Sequence, residues 1–389
     1  MIKTRRVLVM LVALVIAATI AGINRDRSFH HGSVEPGETG TNAPVQQAAK
    51  FRDPLDMAAE AQKNLSGQPI MSVAWNGREF VAVGMRGLIA TAPSPHGPWQ
   101  QSKVPVESDL LSVQFIDSQQ GWAVGHDGVV LHTADGGKSW FKELDGRQVI
   151  QQFRAYYKKR VDQTASNSVD VATIDKQLQA DFSSGASLPF RDVLFTDANV
   201  GYIVGALGLI AVTRDGGKSW YPLIHQIDNP DGLHLNAIRA VDGNVYIAGE
   251  RGEVYHLDKE TGRFVAASTG YAGSFFGVAG NQQVLVAFGL RGTVYRSTDQ
   301  GKTWSVVQIP TKSTLVGGAY LPGPRLFVLA TDDGQLLVGD ADGMQFRTVK
   351  PDHPMRYTDL RATSDNVVAL TGLTGVRFEK PSLADSLNK

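Results

Sequence analysis

Basic and aromatic side chains are concentrated at two kinds of position in this chain. Arg86, Arg251 and Arg291 each stand directly before a glycine, inside a pair of glycines three residues apart. A second group lies in residues 147–160, which contain no acid, and it consists of Arg147, Arg154, Tyr156, Tyr157, Lys158, Lys159 and Arg160. Guanidinium groups form forked hydrogen bonds with carboxylates, and Arg and Tyr are enriched in protein interfaces. These residues predict recognition of an acidic protein segment by charge-assisted hydrogen bonds.

The usual signatures of nucleotide, metal and nucleophilic sites are missing from the sequence. It contains no phosphate-binding loop, no dinucleotide fingerprint and no Gly-x-Ser-x-Gly elbow. There is no cysteine, and apart from the adjacent His30 and His31 the histidines lack the paired spacing of metal ligands. The formal net charge is zero, which argues against a nucleic-acid-binding surface. The sequence therefore predicts no metal, no cofactor and no nucleic-acid partner.

An internal repeat defines the elements that must position these side chains. Segments 133–140, 213–220 and 297–304 share the pattern Ser/Thr-x-Asp-x-Gly-Lys-Ser/Thr-Trp, and a pair of glycines precedes each Trp by about a dozen residues. Seven repeats of about 39 residues fit between residues 70 and 380 once one long insertion is removed. This length is typical of a four-stranded propeller blade. The sequence thus predicts an all-β, seven-bladed β-propeller over residues 51–389.

The repeated residues have structural roles in this interpretation. An Asp in a turn accepts hydrogen bonds from nearby backbone, and a Trp after the turn packs between neighbouring blades. Two-residue hairpin turns need positive φ, which explains the paired glycines. Six residues are therefore expected to be structural and not catalytic: Asp135, Trp140, Asp215, Trp220, Asp299 and Trp304.

The shared phrase resembles the Asp-box, or BNR repeat, of sialidases and related propellers. Its combination with the Gly-x-x-Gly turns resembles the photosystem II assembly factor family of seven-bladed propellers, over about residues 70–380. That resemblance implies a non-enzymatic factor that helps to assemble an integral membrane protein complex. Sialidases also need an arginine triad, a Tyr nucleophile paired with Glu and an Asp acid, and only residues 51–54 resemble one of their motifs.

Two alternatives stay open from the sequence. One is a sialidase-like glycoside hydrolase, and the other is a propeller that binds a carbohydrate or small ligand in its central channel. The second alternative would use polar residues of the inner strands, namely Ser112, Arg191, Asn236 and Arg361.

The N-terminal residues resemble an export or anchoring segment. Residues 7–23 carry no charge and follow Lys3, Arg5 and Arg6, so the positive-inside rule places the remaining chain outside the inner membrane. Residues 1–24 are interpreted as a signal anchor or a cleaved signal peptide. Residues 25–50 read as a flexible linker. The Asp53–Pro54 pair then predicts a short helix that continues through Lys63.

A helical hairpin is predicted at about residues 145–186, between the second and third blades. The period of its apolar residues changes from two to about 3.6. One stripe is Val149, Ile150, Phe153, Tyr156, Tyr157 and Val161, and the other is Val171, Ile174, Leu178 and Phe182. In a propeller, the connection between blades emerges on the face of the turns between second and third strands. The hairpin is therefore expected on the same face as Arg86, Arg251 and Arg291.

The sequence as a whole predicts a periplasmic, membrane-anchored scaffold and not an enzyme. Residues 7–23 would hold it at the inner membrane, and its arginine turns and basic helix would bind an integral membrane protein or complex.

Overall fold

The computed structural model describes residues 52–65, 67–163, 168–183, 185–363 and 366–381. The predicted anchor at residues 7–23 and the predicted linker at residues 25–50 lie outside this part of the chain. Among the described helices, none is both long and apolar enough to cross a membrane.

Seven antiparallel sheets form the seven predicted blades, and in each sheet the strands follow one another in chain order. Blade 1 consists of β1 (Ile70–Trp75), β2 (Phe80–Gly84), β3 (Ile89–Ala92) and β4 (Gln100–Gln101). Blade 2 consists of β5 (Leu110–Phe115), β6 (Gly121–Gly125), β7 (Val130–Thr133) and β8 (Phe141–Leu144). Blade 3 consists of β9 (Phe190–Phe195), β10 (Gly201–Gly205), β11 (Ile210–Thr213) and β12 (Tyr221–Pro222). Blade 4 consists of β13 (Leu235–Val241), β14 (Asn244–Gly249), β15 (Glu253–Asp258) and β16 (Arg263–Ser268). Blade 5 consists of β17 (Phe275–Gly280), β18 (Leu285–Gly289), β19 (Thr293–Ser297) and β20 (Ser305–Val307). Blade 6 consists of β21 (Leu315–Leu321), β22 (Leu326–Thr331), β23 (Leu336–Gly339) and β24 (Phe346–Val349). Blade 7 consists of β25 (Tyr357–Ala362), β26 (Val368–Gly372) and β27 (Gly375–Glu379).

The first strand of each blade contacts the first strand of the next, and β1 contacts β25, so the inner strands form a closed ring. The core is distributed between the blades, because each apolar cluster combines residues of adjacent sheets. Trp140, for example, packs with Val81 and Val83 of blade 1 and with Val113 and Ala123 of blade 2.

The ring closes differently from one possibility that the sequence suggests, in which residues 64–70 would supply a fourth strand to blade 7. Among the described residues, blade 7 has three strands and β1 belongs to blade 1. Side chains connect the two blades instead: the Ser72 hydroxyl donates to Asp359 Oδ2 at 2.9 Å, and the Thr358 hydroxyl donates to the Ile70 carbonyl at 2.6 Å.

The predicted helical hairpin is present as α1 (Gly146–Gln163) and α2 (Ser168–Asp181). The apolar stripe of α1 buries Val149, Phe153 and Tyr157 completely against blades 2 and 3. From α2, Leu178 and Phe182 join the same cluster. The hairpin is thus part of the folded core, as expected for an amphipathic helix pair.

The helix predicted from Asp53 to Lys63 is wrong. Asp53 does cap a turn, since its Oδ1 accepts the Leu55 N–H at 3.0 Å, but that turn is a single 3₁₀ turn at Pro54–Asp56. Residues 57–62 then continue without helix or strand over blades 1 and 2, and we call residues 52–62 the strap. Their backbone bonds to the propeller, with the Ala59 N–H donating to the Val104 carbonyl at 3.0 Å. These tertiary partners replace the bonds of a helix.

Candidate partner-binding face

In the Gly-x-x-Gly turns, the tip is the residue directly before the second glycine, and it has positive φ. At the turn between β2 and β3, Arg86 has φ 53° and Gly87 has φ 69°. The corresponding values are 53° for Arg251 and 56° for Arg291. A Cβ at Gly292 would lie 2.3 Å from the Thr311 carbonyl oxygen, so glycine is required after the tip. The backbone thereby projects one arginine from each of these turns.

The three tip arginines are exposed and only weakly paired. Arg86 Nη2 lies 3.7 Å from Glu107 and 3.9 Å from Glu60. Arg251 forms a closer pair with Asp231 at 2.7 Å, but both side chains are more than half exposed. Arg291 is exposed and forms no ion pair with any residue that the structure describes. Exposed pairs contribute little stability, so these guanidinium groups are available to exchange partners.

The helical hairpin begins on the same face, directly beside a turn of blade 2. A Cβ added to Gly146 would lie 2.9 Å from the Asp127 carbonyl oxygen, and Asp127 is the tip of that turn. Asp145 caps α1 by accepting the N–H of Arg147 at 3.0 Å, while Gln148 Oε1 accepts the Asp145 N–H at 3.0 Å. This reciprocal capping box fixes where the helix starts.

Asp145 is also the most strongly perturbed carboxylate of this face. Burial opposes its ionisation, but hydrogen bonds from Arg147 and Lys142 outweigh burial and lower the pKa of Asp145 to about 2. Lys142 Nζ and Arg147 Nη2 lie 3.0 and 2.8 Å from its Oδ2. Asp145 therefore stays ionised and holds two cations beneath α1.

The predicted basic helix is partly neutralised by acids that come from other elements. Both terminal nitrogens of Arg147 donate to Asp56 of the strap at 2.9 Å. Arg154 donates from Nε to Asp175 of α2 at 2.7 Å, and from Nη2 to the same carboxylate at 3.2 Å. These two arginines stabilise the chain itself in the structure as described.

The end of α1 keeps an exposed basic character. Lys158 and Lys159 are exposed. Arg160 lies with its guanidinium carbon 5.7 Å from the centre of the Tyr156 ring and donates to the Tyr156 hydroxyl at 3.1 Å. Tyr156 is half-buried, and its ring supports Arg160.

Tyr157, which the sequence places among the partner-binding residues, belongs to the core. Its side chain is fully buried, and its hydroxyl lies 3.1 Å from His225 Nδ1. Burial raises the pKa of Tyr157. Adjacent residues of a helix point about 100° apart, so Tyr156 and Tyr157 meet different environments. A buried ring is not available to a partner.

On the opposite face, the Asp-box carboxylates are used within their own turns. Asp135 Oδ2 accepts the Ser139 hydroxyl at 2.6 Å, and its Oδ1 accepts the Ser139 N–H at 3.0 Å and the Thr133 hydroxyl at 2.8 Å. Asp215 and Asp299 make the equivalent bonds. The indole N–H groups of Trp140 and Trp304 donate to turn carbonyls, whereas that of Trp220 has no partner among the described residues. This arrangement builds a hairpin and leaves these three acids no free oxygen pair for catalysis.

The central channel is crossed by charged side chains that pair with one another. Arg239 of blade 4 contacts Asp192 of blade 3, whose carboxylate also accepts the Ser112 hydroxyl at 2.6 Å. Arg361 of blade 7 donates to Asp359 at 2.7 Å and lies 3.8 Å from Asp192 across the ring. We call Asp192, Arg239, Asp359 and Arg361 the channel network.

The remaining polar candidates of the channel are paired as well. Arg191 Nη1 donates to Asn236 Oδ1 at 2.5 Å. The four channel residues that the sequence suggests for a small ligand are thus hydrogen-bonded within the propeller. Within the described part of the chain, no cluster of His, Asp and Glu has the arrangement of a metal site.

The fold and its faces define the class of this protein: it is an Asp-box β-propeller whose turn face combines exposed arginines with a helical hairpin. The family model for "Photosynthesis system II assembly factor YCF48" matches residues 92–162 and 177–370. The chain therefore belongs to the Ycf48 family of photosystem II assembly factors, and the resemblance inferred from its repeats is confirmed.

Curated relatives agree with this assignment. A photosystem II assembly protein Ycf48 from Synechococcus sp. is 27% identical over 187 residues, which are 46% of this chain and 55% of the relative. A second Synechococcus relative, named an assembly lipoprotein, is 23% identical over 68% of this chain and 69% of its own length. The chloroplastic stability/assembly factor HCF136 of Cyanidioschyzon merolae is 25% identical over 43% of this chain and 42% of its own. The chain spans about half the length of most of these curated relatives.

Two solved structures have the same fold at low identity. One, described as "YCF48 bound to D1 peptide", superposes with a TM-score of 0.59 at 16% identity, covering 84% of this chain and 97% of that chain. The other, YCF48 from Cyanidioschyzon merolae, has a TM-score of 0.58 at 15% identity, covering 80% and 95% of the two chains.

Proposed function

We propose that this protein is a non-enzymatic, extracytoplasmic assembly or accessory factor for an integral membrane protein complex. The observation that carries the proposal is the exposure of Arg86, Arg251 and Arg291 on one face, beside the lysines of α1. The Asp-box acids and the channel network, by contrast, are paired internally. Membership of the Ycf48 family and the relative bound to a D1 peptide support a role in membrane-protein assembly.

Binding would occur through replacement of weak intramolecular pairs by stronger intermolecular ones. A partner's carboxylates would form forked bonds with the tip arginines, and partial burial at the interface would strengthen these bonds. Lys158 and Lys159 would extend the positive surface along the hairpin. Of the partner-binding residues that the sequence predicts, the proposal leaves out only the buried Tyr157.

We also propose that the protein is held at the inner membrane. Relatives are named assembly lipoproteins, but this chain has no cysteine that could be lipidated. The uncharged residues 7–23, preceded by Lys3, Arg5 and Arg6, are the candidate anchor in this chain. Tethering of this kind raises the effective concentration of the propeller near membrane partners.

Crosslinking and affinity capture from membranes test the proposed face. The variant carries Arg86→Glu, Arg251→Glu and Arg291→Glu, and the wild-type chain is expected to recover a membrane protein that this variant loses. The matched control carries Arg78→Glu, Arg214→Glu and Arg325→Glu, three exposed arginines that lie on the Asp-box face. Equal capture by the two triple variants, both folded by circular dichroism, would reject the turn face as the binding surface.

A further inference from the structure

The strap occupies a groove on the partner-binding face in the manner of a bound peptide. Leu55 is 3% exposed and enters an apolar slot formed by Val104, Val106 and Leu110, at the junction of blades 1 and 2. The Pro54 carbonyl accepts the Glu107 N–H at 2.9 Å on the rim of this slot. An apolar anchor with backbone hydrogen bonds on either side is the usual way in which grooves hold extended peptides.

Two cations, Arg147 and Lys142, lie around Leu55, and Arg147 pairs with the acids on either side of it. Asp56 receives two parallel bonds from Arg147, each 2.9 Å long, and Asp53 lies 3.6 Å from the same guanidinium. Lys142 Nζ donates to the Leu55 carbonyl at 2.8 Å. The groove thus holds an acid–apolar–acid segment of the chain itself.

The strap buries only Leu55, and it is held by separate tertiary hydrogen bonds and not by a strand ladder. It contains a single turn and pairs with no strand among the described residues, so its amides lack the ladder bonds that protect a sheet. Its main ion pair is also accessible, because the Asp56 and Arg147 side chains are 59% and 44% exposed. Segments with few buried contacts open locally while the rest of the fold stays intact.

We propose that the groove between blades 1 and 2 and α1 is a peptide-binding site that the strap fills in cis. An acidic segment of the partner, with a leucine or similar apolar side chain between two acids, displaces the strap and takes over Arg147 and the Leu55 slot. This inference rests on the proposed function for the identity of the competitor. It makes the strap an intramolecular competitor that keeps the site closed until such a partner arrives.

The test uses a synthetic peptide with the sequence of residues 52–63 and the full-length chain. In the variant Leu55→Ala/Asp56→Ala, the cis strap loses its anchor and its ion pair, and the labelled peptide is expected to bind in trans by fluorescence anisotropy. Wild-type protein should bind it much more weakly, because the cis strap competes. Adding Arg147→Glu to the variant should weaken binding by about fivefold or more, since it removes the main cation. A peptide of the same composition in scrambled order is the matched control.

A second measurement needs no destabilised strap. An excess of the native peptide should accelerate hydrogen exchange at the amides of Ala59 and Gln62 in isotope-labelled wild-type protein, while the scrambled peptide should not. The proposal is overturned if the folded double variant fails to bind the peptide, or if its strap amides exchange as slowly as in wild type. Since the assay contains no partner, these outcomes are independent of the capture experiment on the tip arginines.

Discussion

At the scale of single residues, environment decides which charged groups of this chain are free to act. Arg291 and Arg147 have the same side chain, yet the first projects from a turn tip and the second is paired with Asp56 and Asp145 while the strap is in place. The difference comes from where acids of distant elements lie. Residue type alone therefore predicts which groups are able to bind an acidic segment, and the fold selects among them.

His225 should make stability depend on pH. Burial, followed by the nearby charges of Arg160 and Arg263, lowers its pKa from 6.5 to about 4. Between these values the unfolded chain binds a proton that the folded chain does not. The free energy of unfolding should therefore fall as pH drops from about 6.5 towards 4, and be insensitive to this group above that window.

The variant His225→Gln removes the titrating group, so it should show a smaller loss of stability in this range. Urea unfolding at several pH values measures the effect, and His96→Gln, at an exposed histidine, is the control. An unchanged pH dependence in His225→Gln would show that other groups are responsible.

At the scale of elements, the start of α1 depends on one buried carboxylate. Asp145→Ala removes the helix cap and leaves Lys142 and Arg147 without their shared acid. A lost cap costs about 1 kcal/mol and lost buried charge-assisted bonds add to it, so a destabilisation of about 2–4 kcal/mol is expected. Denaturant unfolding measures it. Gln151→Ala, at an exposed position of the same helix, should change stability by less than about 0.5 kcal/mol.

The hairpin was predictable because its apolar period differs from that of the blades, whereas the strap was not. Pro54 after Asp53 favours a helix start locally, and the sequence gives no sign that Leu55 has a slot on blades 1 and 2. The same limit applies to Tyr157. A helical stripe that includes Tyr156 and Tyr157 predicts one buried face but does not say where that face ends. Such contacts depend on elements distant in sequence.

At the scale of the whole molecule, the channel network should couple blades that are far apart along the ring. Asp192→Ala leaves Arg239 without its carboxylate in the channel, and removing one partner of a buried ion pair costs about 3–5 kcal/mol. Ser112→Ala removes only one hydrogen bond to the same carboxylate and should cost about 1 kcal/mol.

A double-mutant cycle between Asp192 and Arg361 tests the coupling across the channel. These residues lie on blades 3 and 7, and the cycle isolates their interaction from the single losses. Additive effects of the two substitutions would mean that the 3.8 Å approach carries no energetic link.

Repetition makes the ring the most predictable feature of this chain, since six of the seven blades keep both turn glycines and blade 6 keeps only Gly334. The pairings inside the ring were not predictable, because the repeat itself does not encode them. Asp192 and Asp359 occupy equivalent positions at the start of β9 and β25, yet the other inner strands have Ser, Ala or Gly there. Only the closed structure brings Arg361 of blade 7 towards Asp192 of blade 3.

The way in which the ring closes also determines how it would yield under load. Side-chain bonds from Ser72 and Thr358 join blade 1 to blade 7, and no described strand ladder crosses this seam. A pulling force on the two ends of the described chain would first release the strap and then part this seam, because the ends lead into blades 1 and 7 and each blade keeps its own hairpins when the seam opens. The ring would then open with its blades still folded, instead of losing one strand after another.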